Sequence, residues 1–173
     1  MILPDITYLT VSVIDCFCQK LTANIANNNV LNTLYVHVKE TLCEETAYLK
    51  NVSSKVDRQR ITKIRISANS LRIQTGRYGR DRIERLAKVC EVCEDRELED
   101  EYHFVLKCKR YDNLRRMYIK QYYRRRPSMF KLIELLKTSN TKEPMKLSRY
   151  IKEATVLRNE SLLNITGIAG DIA

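Results

Sequence analysis

Apolar positions in this chain recur mostly at helical rather than alternating spacing. Over residues 5–23, Ile6, Leu9, Val13 and Phe17 share one side, with Val11 and Ile14 beside them. That spacing is roughly helical, although the Thr and Val content also permits a strand. The run NIANNNVLN at 24–32 predicts a break, because Asn favours turns and caps. Residues 30–49 predict another helix, with Leu31, Leu34, Tyr35, Val38 and Leu42 on one side. From Lys55, KVDRQRITKIRISANSLRI sets Ile61, Ile64 and Leu71 on one helical face, with Ser53 or Ser54 as cap. Gly76 and Gly79 mark a loop. In 109–126, Tyr111, Leu114, Met117 or Tyr118, and Tyr122 form a helical stripe that Pro127 ends. Residues 130–136 and 147–163 predict two further helices across the polar stretch KTSNTKEP, and the last ten or so residues predict a frayed tail.

The fold class these patterns predict is mainly α: an irregular helical domain with one small CCHC zinc knuckle and a short β-hairpin in it. With 4 Gly and 3 Pro among 173 residues, turn-rich β architecture is disfavoured. The expected organisation is a helical segment at 1–50, a basic helix and loop at 51–85, the zinc knuckle with its following basic helix at 86–126, C-terminal helices at 127–163 and a tail at 164–173.

Charge changes this picture by naming partners. The net charge is +10 and the isoelectric point is about 9.4, which favours polyanions, RNA and DNA first. No basic amphipathic helix argues for a membrane surface, and no run reaches the roughly 18 apolar residues of a span. The N-terminus lacks a positive region, and Asp5 and Asp15 interrupt its apolar stretch, so it does not read as a secretory signal. A reducing, intracellular setting in nucleus or cytoplasm is expected, where paired cysteines hold metal more often than they form disulfides. The Asn-x-Ser/Thr triplets at Asn51, Asn159 and Asn164 read as chance.

The candidate chemistry is Cys90-x2-Cys93-x9-His103-x4-Cys108. A C-x2-C pair on a tight turn converges two thiolates, and a second pair returning across residues 94–102 completes a tetrahedron. Four protein ligands leave no open position, so the expected cofactor is one structural zinc ion. An inert core of three cysteines and a histidine, and a redox C-x-x-C pair, are the competing readings. Cys16, Cys18, Cys43 and His37 read as packing residues.

Basic stretches flank the acidic knuckle on both sides. Arg58, Lys63, Arg65 and Arg72 lie on the helix and its continuation, Arg77, Arg80 and Arg82 on the glycine loop, and Arg124, Arg125 and Arg126 before Pro127. They are the candidate phosphate contacts. Tyr78, Tyr111, Tyr118, Tyr122 and Tyr123 sit among these charges, where some stack on unpaired bases or, as Tyr111 and Tyr118 suggest by their place on the stripe, enter the core.

The run ITKIRISANSLRIQTGRYGRDR, the CxxC-x9-HxxxxC knuckle with EDEYHFVLKC, then YDNLRRMYIKQYY and RPSMFKLIELL together resemble the C-terminal zinc-binding region of non-LTR (LINE-type, jockey-like) retrotransposon reverse transcriptases. The likeness covers about residues 58–158, with 1–50 as a loosely matching helical connector. It implies that Cys90, Cys93, His103 and Cys108 are the CCHC ligand set and that the region engages template RNA or target DNA. The paired aspartates that hold metal ions in such a polymerase are absent, so the chain reads as a tail fragment and not as an enzyme. The rival reading is a zinc-stabilised protein-interaction module whose contact surface is the acidic knuckle.

Overall fold

The computed structural model describes residues 34, 47–75, 83–138, 140 and 142–170, the side chains of 166–170 excepted. The predicted elements at 5–23 and 24–32, most of that at 30–49, and Arg77, Tyr78, Arg80 and Arg82 therefore lie outside the described residues.

A short helix α1 (Ala47–Asn51) turns into α2 (Lys55–Arg65). Ser54 is the cap: its hydroxyl accepts from the Asp57 N–H at 3.3 Å, satisfying an amide the helix leaves unpaired. Arg58 closes the corner by donating to the Val52 and Ser53 carbonyls at 2.6 and 2.8 Å. Ile61 and Ile64 are buried as their spacing predicts. Leu71 is also buried, but the helix stops before it. Ser67 enters the left-handed region at φ 54°, Ser67 N donates to Ile64 O, and Ala68 N donates to Lys63 O at 2.8 Å. This is a Schellman ending with serine where glycine is usual.

Beyond residue 100 the chain is mostly helical. A helical stretch at 101–107 leads into α3 (Asp112–Tyr118), α4 (Gln121–Arg124), α5 (Met129–Lys137) and a long α6 (Lys142–Gly170). Ser128 caps α5 by accepting from Lys131 N at 3.3 Å, and α5 buries Leu132, Leu135 and Leu136. α6 packs along α2 and α3 through Leu147, Tyr150, Ile151, Ala154 and Arg158, the inward face of a 3.6-residue repeat. Around Phe104 the core is aromatic, with Tyr111 edge-on at 5.2 Å and Tyr150 at 6.1 Å between ring centroids. The Tyr150 hydroxyl donates to the Phe104 carbonyl at 2.6 Å.

Three expectations need correction. The helix predicted through 109–126 breaks at Ile119 and Lys120, where the backbone is extended. The break shifts the inward register by one residue, so Tyr123 is buried at 6% exposure while Tyr122 stands out at 53%. The last helix starts at Lys142, inside the stretch read as a separator, since Pro144 falls in the first turn where no amide hydrogen bond is lost. It continues over the expected tail as far as Gly170. Among the described residues no helix is long and apolar enough to cross a membrane.

Candidate metal centre

The site is built on a minimal hairpin. Val89 and Leu98 form one antiparallel bridge, with Cys90 N donating to Glu97 O at 2.8 Å and Glu99 N to Lys88 O at 2.9 Å on either side. Arg96, at φ 47°, helps the chain reverse. Cys90 thus ends one strand and Cys93 sits on the turn beyond it. Asp100 then starts the returning helix: its carboxylate accepts from His103 N at 2.8 Å and its carbonyl from Phe104 N at 2.9 Å. That helix widens into a π turn over His103–Lys107, closed by Cys108 N donating to His103 O at 2.7 Å. In an α-helix, positions five apart lie about 140° apart around the axis. The wider turn brings position 108 back toward position 103, and such turns are frequent at functional sites.

The result is that Cys90, Cys93, His103 and Cys108 bring one ligand atom each within 4.8 Å of one another, a group able to hold one metal ion. Cys90, His103 and Cys108 are buried and Cys93 is half-buried. The Cys93 sulfur lies 3.4 Å from His103 Nε2, while Nδ1 faces Glu97 at 3.4 Å. A carboxylate on the outer nitrogen fixes the ring and turns Nε2 inward, as around metal-bound histidines generally. Hydrogen bonding from the Cys108 thiol, with a further contribution from His103, outweighs burial and lowers the Cys90 pKa to about 4, so its sulfur is the favoured thiolate. The same contact, together with burial, pushes the Cys108 thiol up, and burial pushes Cys93 up.

Of the acidic residues around the ligands, Glu99 and Glu101 are buried on partners, while Glu91, Asp95 and Glu97 form ion pairs nearer the surface. Glu99, 1% exposed on its side chain, holds Arg158 of α6 through two bonds of 2.7 and 2.8 Å and accepts from Arg72 N at 2.9 Å. Glu101 accepts from Asn69 and Gln74 at 2.8 and 3.1 Å. Glu97 pairs with Lys107, Asp95 with Lys109, and Glu91 with Arg72. Sequence reading missed Glu99 and Arg158 as structural residues. One signal existed: Arg158 continues the apolar spacing of Tyr150, Ile151 and Ala154.

The candidate phosphate contacts divide. Arg65 is corrected: it is 2% exposed, donates to the Leu136 carbonyl and lies 4.9 Å over the Tyr48 ring, so it cannot reach a phosphate. Arg58 and Arg124 are half-buried and bonded to backbone carbonyls, Arg124 to that of Ile119 at 2.9 Å, and Arg72 is paired with Glu91. Lys63, Arg125 and Arg126 are exposed. A basic row absent from the sequence reading, Lys142, Lys146, Arg149 and Lys152, is exposed along one side of α6. The chain matches no protein-family model, no curated protein and no solved structure.

Proposed function

We propose that this chain is a nucleic-acid-binding module organised by one structural zinc ion on Cys90, Cys93, His103 and Cys108. The clustering of those four donor atoms carries the reading. Bonds of about 2.3 Å to sulfur and about 2.0 Å to nitrogen put the corners of a zinc tetrahedron roughly 3.5–3.8 Å apart. The 3.4 Å between Cys93 and His103 is close to that spacing. Three sulfurs and an imidazole suit zinc over oxygen-seeking cations.

The nucleic-acid half rests on where charge is left over. Glu99 is engaged internally by Arg158, and Glu91, Asp95 and Glu97 are each paired with a cation at the surface, which leaves less unpaired acidic charge there for a protein-interaction module to use. Lys63, Arg125, Arg126 and the α6 row remain on the surface of a chain with net charge +10. Tyr122 stands exposed beside Arg125 and Arg126, a pairing suited to stacking an unpaired base. The resemblance to the tail of a retrotransposon reverse transcriptase points to the same ligand class, template RNA or target DNA.

Elemental analysis of the purified chain tests the metal: one zinc per chain is expected, and a folded, metal-free preparation refutes it. A salt series with single-stranded RNA tests the partner. About five phosphate contacts predict roughly a hundredfold loss of affinity between 50 and 200 mM salt. No binding to RNA or DNA at low salt overturns this half and leaves the protein-interaction module.

A further inference from the structure

A cleft of about 520 Å³ opens between α2 and α6, and none of the four candidate metal ligands lines it. Its floor is apolar, formed by Ile64, Leu71, Phe104 and Ile151. Its walls are cationic, and no carboxylate lines it among the described residues. Two of its four cations are already engaged: Arg60 by Asp57 at 2.7 Å and Arg158 by Glu99. Lys63 on α2 and Lys152 on α6 are exposed and have no acidic partner among the described residues, so two lysines line one opening from opposite walls. The hydroxyls of Ser70 and Thr155 line the same cleft, and Thr155 Oγ1 donates to Ile151 O at 2.7 Å, leaving lone pairs to accept. Clefts of about 300–1,000 Å³ with an apolar base and a few convergent polar groups are the usual form of small-ligand sites.

We infer that this cleft binds a single 5′-phosphorylated nucleoside unit, its base against the Ile64, Leu71, Phe104 and Ile151 floor and its phosphate between Lys63 and Lys152. The charge pattern selects an anion, and the floor selects one carrying a flat apolar group. The hydroxyls then lie within the cleft for the sugar. This rests on the nucleic-acid reading above and gives it a docking point for one nucleotide of a strand.

The test uses the full, zinc-loaded chain and amide chemical shifts. Adenosine 5′-monophosphate is expected to move the amides of 63–71 and 151–155, with adenosine and inorganic phosphate each binding at least tenfold more weakly. Lys63→Glu and Lys152→Glu, both surface changes, are each expected to lower the nucleotide's affinity tenfold or more with the remaining spectrum unchanged. Single-stranded RNA is expected to shift the same amides. If RNA binds while these amides stay still, the cleft assignment is wrong and the module reading stands. If the mononucleotide occupies the cleft but RNA does not bind, the cleft assignment stands and the module reading falls. Inorganic phosphate binding as tightly as the nucleotide, or the nucleotide not binding at all, overturns the inference.

Discussion

Replacing Arg158 by Met removes the cation that holds Glu99, and the structure allows the cost to be worked out. The two side chains are 7% and 1% exposed and share two hydrogen bonds, at 2.7 and 2.8 Å. A carboxylate stranded at that depth keeps only the Arg72 N–H as donor. Breaking a buried pair by deleting one member costs about 3–5 kcal/mol, at least about a fifth of the stability of a typical domain. At roughly 2–4 °C per kcal/mol for a chain of this size, the melting temperature falls by about 6–20 °C. Glu99→Gln keeps an acceptor for Arg72 but leaves Arg158 uncompensated, with a similar expected loss. The double variant removes both charges, so it should be less damaged than the sum, with an interaction energy of about 2 kcal/mol. Urea unfolding of the four proteins at fixed, saturating zinc supplies the cycle. Single losses under about 1 kcal/mol with a coupling under about 0.5 kcal/mol would mean that the pair behaves as an exposed one and that α6 is not anchored to the hairpin by charge.

Four further outcomes are expected. Chelation of the metal should open residues 86–111 to protease, because binding and local folding are coupled; an unchanged digestion pattern and far-UV signal would remove the structural role. Ser67→Gly should stabilise the chain by about 0.5–1 kcal/mol, since glycine accepts φ 54° without a Cβ clash; a lower melting temperature contradicts this. Tyr150→Phe should cost about 1–3 kcal/mol by leaving the Phe104 carbonyl without its donor, measured as a drop in the urea midpoint. The Ser148 hydroxyl, with help from Arg60, holds the Asp57 carboxyl below its ordinary 3.8. A depressed folded value means that the stabilisation is full above 3.8 and fades as pH falls through the lowered one. The stability gap between wild type and Asp57→Asn should therefore narrow from pH 6 toward pH 3, and a gap that does not change with pH would sink the assignment.

The candidate metal group was legible because spacing encodes it: three thiols and one imidazole stand within nineteen positions, and the fold brings them together. α2 and α5 were legible from apolar repeats with serine caps at their starts. The fate of charged side chains was not. Arg65 reads as a phosphate contact and Glu99 as part of an acidic contact surface, yet both are buried, as are Arg115 and Arg158, against partners distant in sequence or on backbone carbonyls. Nothing local announces such a partner. The tyrosine register failed for a different reason, since the break at Ile119 and Lys120 contains neither glycine nor proline to announce it.

The consecutive residues Glu99, Asp100 and Glu101 answer to three different places: α6, the start of the histidine-bearing helix, and the 69–74 segment. Length variation is therefore confined. An added residue at the exposed tip, Glu94 to Arg96, can bulge into solvent while the two rungs at 88–99 and 90–97 stay closed. The same residue added between Leu98 and His103 would turn each acid toward its neighbour's partner and swing the imidazole off the sulfurs at once. Natural relatives that keep this architecture should differ in the number of residues before Glu97 and agree in the number after it.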